Sequence, residues 1–553
     1  MAAYRATHEV FNQVPPLEDY NAYREDRPLR EGVAREGGDW AEDRLIKLGG
    51  EVASARFQEL ARLANKHTPE LQTHDRFGNR VDMVEFHPAY HELLGHAIAS
   101  EAHAFPFNHP QPGAHVVRAA LSYLYNHAEI GVCCPAFMTF ASVPAMRRQP
   151  EIAEEWVPRV LSSDYDRRFR PAAEKTGVTI GMAMTEKQGG SDVRANTTRA
   201  EPLDAGGPGA EYELTGHKWF CSAPMCDAFL TLAYTEAGFS CFFVPRWKPD
   251  GTRNPFFIQR LKDKLGNRAN ASSEIEYAGT WARMLGEEGR GVRTIIEMVH
   301  HTRLDCALSS AAIMRNAVAH ALHHAAHRTA FQKKLIDQPA MQRVLADMAL
   351  ETEAATTLLM RIAGAFDRGE RDEGERMFAR IAVACAKYWI CKRTPWIVAE
   401  ALECHGGNGY VETGLLARLY REAPLNGIWE GSGNVLALDV MRAIAREPES
   451  LELLLAEARA GAGADARFDA YLAEEVEPLL ASRDDVEANA RRLAQALTLA
   501  LQASLLLRHA PAAVADAFCA SRLDGAPSLT FGTLPNGLDE RAVVERARPS
   551  STE

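Results

Sequence analysis

No stretch of this 553-residue sequence stays apolar for the roughly 18–20 residues that cross a bilayer. Its first residues, from Met1 to Glu9, lack the basic-then-apolar order of a secretion signal. The ten cysteines include no C-x-x-C pair, and Cys133 and Cys134 are simply adjacent. That excludes a ribbon-type zinc site and suits reduced thiols in a cytoplasm. No G-x-G-x-x-G follows a strand pattern, so a Rossmann nucleotide site is not expected. His91-Glu-Leu-Leu-Gly-His96 is one residue too long for the zinc motif H-E-x-x-H. A di-iron bundle needs E-x-x-H twice, and only Glu297-x-x-His300 has that spacing. His320, His323, His324 and His327 share a helix face, but no carboxylate or cysteine joins them, so they are read as a helix surface and no metal is expected. A net charge of -12 argues against a generally nucleic-acid-seeking surface, though not against a local basic patch. The expectation is a cytoplasmic, multidomain protein without a membrane partner.

An apolar fraction of 46% with 25% charged residues is enough to bury real cores. From about residue 40 to 180 apolar residues recur at helical spacing, as in Phe57, Leu60, Leu63 and Ala64. Between about 180 and 290 short alternating or aromatic runs, such as Tyr212-Glu-Leu-Thr and Ser240-Cys-Phe-Phe-Val-Pro, are divided by Gly, Asp and Pro clusters. This is sheet punctuation. Long helical periods return after Val292, broken by a charged loop at residues 368–375, and predict a four-helix bundle. Residues 496–507 read as a core helix, and the last thirty residues as polar and irregular. The chain is therefore α+β, with expected domains at 1–180 (helical), 181–290 (β), 291–445 (four-helix bundle) and 446–553 (a C-terminal helical extension).

Three segments carry chemistry. In Met182-Ala-Met-Thr-Glu-Lys-Gln-Gly-Gly-Ser-Asp192 a short strand enters a turn whose glycines admit a flat or phosphorylated ligand and whose hydroxyls can bond it. An ordinary Gly-Gly surface turn is the other reading. Gly216-His-Lys-Trp-Phe-Cys-Ser222 is an aromatic strand ending in a hydroxyl, which on its own also reads as sheet core. In Ile428-Trp-Glu-Gly-Ser-Gly-Asn434 a carboxylate stands between an indole and a flexible Gly-Ser-Gly. Shielded from water, Glu430 would have a raised pKa and serve as a general base; a helix N-terminal acid is the alternative.

Taken in order, these segments resemble the acyl-CoA dehydrogenase family. Leu261-Lys-Asp-Lys-Leu-Gly-Asn-Arg and Leu285-Gly-Glu-Glu-Gly-Arg-Gly are similar to the strand and exit loop closing its β-domain. Arg328-Thr-Ala-Phe-Gln, Leu345-Ala-Asp-Met and Glu403-Cys-His-Gly-Gly-Asn-Gly-Tyr resemble its bundle signatures. The resemblance covers roughly residues 40 to 445. Thr185-Glu-Lys-Gln-Gly-Gly-Ser-Asp, Arg260-Leu-Lys-Asp-Lys-Leu-Gly-Asn-Arg, Trp429-Glu-Gly-Ser-Gly-Asn and Val10-Phe-Asn-Gln are similar to its AidB branch, flavoproteins of the bacterial adaptive response to DNA alkylation. So is the extra C-terminal helical segment.

The resemblance implies that residues 181–290 form a flavin-binding β-barrel and that FAD lies between it and the bundle, with Thr185, Ser191, Phe220 and Ser222 on the flavin and Met182, Met184, Gly190 and Trp219 beside them. Arg328, Phe331, Gly406 and Gly407 would hold the pyrophosphate and adenine of a neighbouring subunit's FAD, implying a homotetramer. Ile428, Trp429, Gly431, Ser432 and Asn434 would flank the cofactor around Glu430, the base that takes the α-proton of an acyl-CoA, with Arg303 setting the carboxylate's orientation or, equally, forming a structural salt bridge. Thr302 stands where some members place the base instead. Gln332 replaces a signature glycine, Pro339 an adenine-side glutamine (with Gln338 one place early), and Trp429 the usual tyrosine, an indole that would narrow the acyl pocket.

The branch also implies double-stranded DNA binding through the C-terminal segment and weak acyl-CoA dehydrogenase activity. The other reading is a fully active acyl-CoA dehydrogenase whose extension is structural. From Arg446 onward there are eleven arginines, no lysine and eighteen acidic residues. A DNA-binding stripe would need Arg483, Arg491, Arg492, Arg508 and Arg522 on one face.

Overall fold

The computed structural model describes residues 7–482, 485–525 and 529–550; residues 1–6 and Arg483 lie outside them. Through the centre runs one helix, Gly291–His327, about 55 Å long at 1.5 Å per residue. Between Thr302 and Leu322 every residue except His320 is buried: most are apolar or small, and the charged ones, Arg303, Asp305 and Arg315, pair with Asp439, Arg118 and Asp26. Helices Pro339–Arg368, Glu373–Cys404 and Gly433–Arg446 complete a bundle around it. Proline opens the first of these, where its missing N–H is not needed. Asp372 caps the second through the N–H groups of Gly374 and Glu375. Helices Ala114–Ala128 and Ile130–Met146 pack on the central helix from the other side. Glu129 joins them and caps the second, accepting from the Val132 N–H at 2.7 Å.

The helical reading of residues 40 to 180 misses a hairpin, β1 (Glu70–His74) with β2 (Arg80–Glu85). Its turn is local chemistry: Asp75 Oδ1 accepts from the N–H groups of Phe77 and Asn79, and Gly78 takes φ 86°. Seven further strands form the central sheet: β3 (Ile180–Ala183), β4 (Arg199–Pro202), β5 (Glu211–Ser222), β6 (Ala228–Thr235), β7 (Gly238–Pro245), β8 (Phe256–Leu261) and β9 (Ser272–Leu285). The order β6-β4-β5-β9-β7 returns to β6 and closes a barrel, with β3 lying parallel to β6 and β8 on β9.

After residue 446 the chain continues the same core. Helix Ala490–His509 packs on three bundle helices, with Leu497, Leu501, Leu505 and Leu506 fully buried, as expected for residues 496–507. The last thirty residues depart from the expected irregular tail. Leu534, Val543 and Val544 are buried, and Glu540–Ala547 is helical. Arg546 docks that helix by pairing with Glu353 at 2.9 Å and Glu31 at 2.5 Å. Long-range ion pairs thus order a segment whose local pattern is weak. No described helix is long and apolar enough to cross a membrane.

Candidate active site

The loop after Pro424 brings Glu430 against the central helix. Glu430 sits in the left-handed region at φ 55°, followed by Gly431 at φ 107°. A non-glycine residue held there costs about 1–3 kcal/mol, so the surroundings must fix it. Thr302 Oγ1 donates to the Glu430 carboxylate at 2.8 Å. Of the two roles open to Arg303, the structure shows the salt bridge: its guanidinium pairs with Asp439 at 2.7 Å, and its Nε donates to the Glu430 main-chain carbonyl at 3.2 Å rather than to the carboxylate. The carboxylate's direct partner is Thr302 because Arg303, next along the helix, is drawn to the buried acid on Gly433–Arg446, which Arg380 also grips. Burial raises the Glu430 pKa, and Thr302, Lys387 and Arg303 oppose the rise without cancelling it. The main-chain N–H groups of Glu430 and Gly431 bond nothing among the described residues. Trp429 is pinned by its indole N–H on Asn426 Oδ1 at 2.8 Å.

Opposite lies the end of β5. Register shifts between Leu214 and Thr215 and between Lys218 and Cys221 turn the strand where Trp219 and Phe220 stand. Phe220 is left 48% exposed, and Lys262 lies 3.4 Å from the Trp219 ring centroid. Met182 lies on β3, while Met184 and Thr185 follow it; the Thr185 carbonyl accepts from the Trp219 N–H at 2.8 Å. A Cβ on Gly190 would fall 2.4 Å from Thr185 Oγ1, so the turn at Ser191 needs that glycine. Glu186, fully buried, ties the turn to the barrel through Lys218 Nζ (2.9 Å) and Thr198 Oγ1 (2.5 Å). Burial would raise its pKa, but Lys218 and those bonds outweigh burial and hold it at about 2.

Ser222 Oγ is 3.2 Å from Ser272 Oγ, which accepts from Lys264 Nζ at 2.9 Å. Cys134 joins this side to the base. Its thiol contacts Ser222 and Asn270 and feels Lys264 and Glu430, while burial pushes it up to about 12. No motif singles out Cys134 or Lys387, and Lys264 figures only as part of the segment at residues 261–268; all three come from elements distant from Glu430 in sequence.

The other expected residues lie elsewhere. Arg328 ends the central helix, 26 residues beyond Thr302 and so about 39 Å away along it. Thr329–Ala330 and Lys333–Lys334 pair across a turn in which Phe331 (φ 51°) and Gln332 (φ 65°) are both left-handed, as a tight hairpin requires. A glutamine therefore adopts the conformation of the missing signature glycine. Gln338 donates to the Ala330 carbonyl at 3.0 Å and braces the hairpin. Asn12 pairs with Thr329 at 2.9 and 2.8 Å, and Arg328 donates to its carbonyl, which explains the Val10-Phe-Asn-Gln segment. His324 stacks on His405 at 4.4 Å, bringing Gly406 and Gly407 to this same end. Nothing lies within 4 Å of a Cβ added at either glycine. His324 is buried and His320 half-buried, so these histidines are packing rather than a helix surface. Ile428 is exposed, Ser432 precedes the Gly433–Arg446 helix, and Asn434 Oδ1 accepts from Arg491 at 2.6 Å.

The rim hydroxyls, the open aromatic faces and the Gly190 turn fit a flat hydrogen-bonding ring; Arg328 beside open glycines fits phosphates. Both halves of FAD are thus matched, about 39 Å apart. A cleft of about 940 Å³ opens beside Ser191, lined by Arg194, Arg290, Arg293, Arg380, Arg442 and Arg446 among others. Arg194, Arg293 and Arg446 form no ion pair among the described residues.

Residues 181–280 match the acyl-CoA dehydrogenase middle domain, 289–445 its C-terminal domain, and 12–167 the N-terminal domain of the adaptive response protein AidB. AidB of Escherichia coli K12 is 45% identical over 94% of this chain and 95% of its own length. The chain belongs to the acyl-CoA dehydrogenase family, in its AidB branch. Caenorhabditis elegans ACDH-11, solved with C11-CoA, superposes over 99% of this chain and 94% of its own, with TM-score 0.84 and 25% identity. An acyl-CoA dehydrogenase of Bacillus anthracis, solved with FAD, shares the fold over 93% and 85% of the two chains (TM-score 0.64, 18% identity). Members of this family are FAD-dependent oxidoreductases, and this chain is one.

Proposed function

We propose that the chain dehydrogenates an acyl-CoA thioester between its α and β carbons, with Glu430 as the base. The observation that carries this is the half-buried Glu430 carboxyl, its pKa raised by desolvation, held by Thr302 and facing the Ser222 side of the site. Bound FAD supplies the hydride acceptor. The chain's own residues do the rest. The unpaired N–H groups of Glu430 and Gly431 receive the thioester oxygen and acidify the α-proton. Glu430 removes that proton. Trp429, fixed by Asn426, limits the width of the acyl pocket. The arginine-lined cleft beside Ser191 takes the phosphates of coenzyme A. Because the Arg328 end lies about 39 Å from Thr302, it serves the FAD of a second copy, in a homotetramer.

The role in DNA protection implied by the AidB branch is supported by kinship alone. Of the arginines required for a stripe, Arg492 pairs with Glu475, Arg508 with Glu457, and Arg522 with Asp347 and Glu351. Arg491 is on Asn434. Charge so matched releases few counterions on meeting phosphate, which favours a structural extension.

The test is anaerobic mixing of the flavoprotein with acyl-CoAs from short to long chain while flavin absorbance is followed. Bleaching that Glu430→Gln abolishes is expected. A flavin that dithionite reduces but no thioester bleaches would overturn the reading.

A further inference from the structure

Lys387 occupies the middle of the Glu373–Cys404 helix with no exposed surface. Enclosing an ammonium costs several kcal/mol unless it is fully bonded, and no acidic side chain pairs with it among the described residues. Its partners are main-chain carbonyls instead: Asn426 at 2.9 Å, Trp429 at 2.8 Å and Gly431 at 2.9 Å. A neutral amine has two hydrogens, so three donations need the cation. The intervening carbonyl, that of Glu430, faces Arg303 Nε at 3.2 Å.

Three consecutive carbonyls, from Trp429 to Gly431, are thus all held by buried cations. A strand, whose successive carbonyls alternate sides, does not present them that way, and this segment is not a helix C-terminus. The loop does so through left-handed φ at Glu430 (55°) and Gly431 (107°). With those carbonyls drawn into the bundle, the N–H groups of Glu430 and Gly431 are left without partners among the described residues. One side chain, remote in sequence, therefore fixes both the base and the donors beside it.

We propose that Lys387 is a positioning residue for Glu430, its ammonium latching the loop that sets where the carboxylate stands. The catalytic consequence rests on the dehydrogenase reading above; the latch itself does not. The groups around Glu430 are Thr302 and Arg303 on the central helix, Lys387 on its neighbour, and the Cys134 and Cys306 thiols. Among these the Thr302 hydroxyl and then the charges of Lys387 and Arg303 favour the ionised carboxylate, against burial.

The test compares full-length, FAD-loaded wild type with Lys387→Met, with Lys387→Gln as the milder neutral variant and with Lys387→Arg. Glutamate labelled with carbon-13 at the carboxyl reports the titration of Glu430 by NMR, and Glu430→Gln assigns the signal. The pH profile of acyl-CoA bleaching is measured alongside. Removing the charge is expected to raise the Glu430 midpoint by about one pH unit or more, a tenfold change in ionisation. Bleaching should slow more than tenfold at neutral pH with KM little changed, and Lys387→Arg should recover most of it. A Glu430 midpoint unmoved in a folded neutral variant overturns the proposal. A shifted midpoint in a protein that no thioester bleaches would retain the latch and reject the dehydrogenase reading.

Discussion

The two ends of the Gly291–His327 helix are built on opposite terms. At Thr302 the helix is buried on every side and meets a loop whose carbonyls are tied to Lys387 and Arg303. At Arg328 it runs out into a surface hairpin whose Phe331 is 94% exposed, beside glycines with open space above them. Enclosure is what a carboxylate needs to become a base near neutral pH, since burial raises its pKa. Openness is what a phosphate grip needs if the phosphate arrives with another copy of the chain. One end completes a site within the chain; the other offers half of one.

Five substitutions sharpen or break this contrast. The largest effect is expected from Glu430→Gln, which should slow acyl-CoA bleaching of the flavin by about 10³-fold or more in stopped flow while FAD content stays normal. Loss of FAD instead would make Glu430 a structural residue.

Next comes a matched pair of the same change at both ends. Gly190→Ala must displace Thr185, whose Oγ1 would be 2.4 Å from the new Cβ. It should cost about 1–3 kcal/mol in urea unfolding and loosen FAD. Gly407→Ala meets nothing within 4 Å and should change unfolding by less than about 0.5 kcal/mol. Equal costs would erase the distinction between a packed and an open end.

Thr302→Val removes the hydroxyl that favours ionised Glu430. The carboxyl pKa then rises further, so less base is present at a given pH. The bleaching profile should move to higher pH, with a loss of about tenfold (~1.4 kcal/mol) below the new midpoint that is recovered above it. A uniform loss at every pH would mean that Thr302 serves geometry alone.

The smallest effect on the chain itself is expected from Phe331→Ser. With the ring exposed, single-chain unfolding should shift by less than about 0.5 kcal/mol, whereas sedimentation should show weaker self-association and dialysis a faster loss of FAD. Unchanged association and FAD retention would remove the shared-site proposal.

The sequence by itself determined most element types, the sheet between helical segments, and the segment that carries the proposed base. Those rest on periodicity, turn residues and short motifs such as Ile428-Trp-Glu-Gly, all written within a few residues of one another. It left the hairpin at residues 70–85 and the helix Glu540–Ala547 illegible. The first depends on one aspartate's turn bonds, the second on ion pairs from Arg546 to Glu31 and Glu353, hundreds of residues away.

Only the tertiary structure decided who touches the carboxylate. Arg303 and Thr302 are neighbours in sequence, yet one faces Asp439 and the other Glu430, a choice made by the helix packed opposite. Lys387, read alone, is a cation in an apolar helix; three carbonyls from a loop some forty residues onward give it a function. Local patterns fix local geometry. A buried charge takes its role from partners that only folding assembles, because nothing within its own helix can satisfy it.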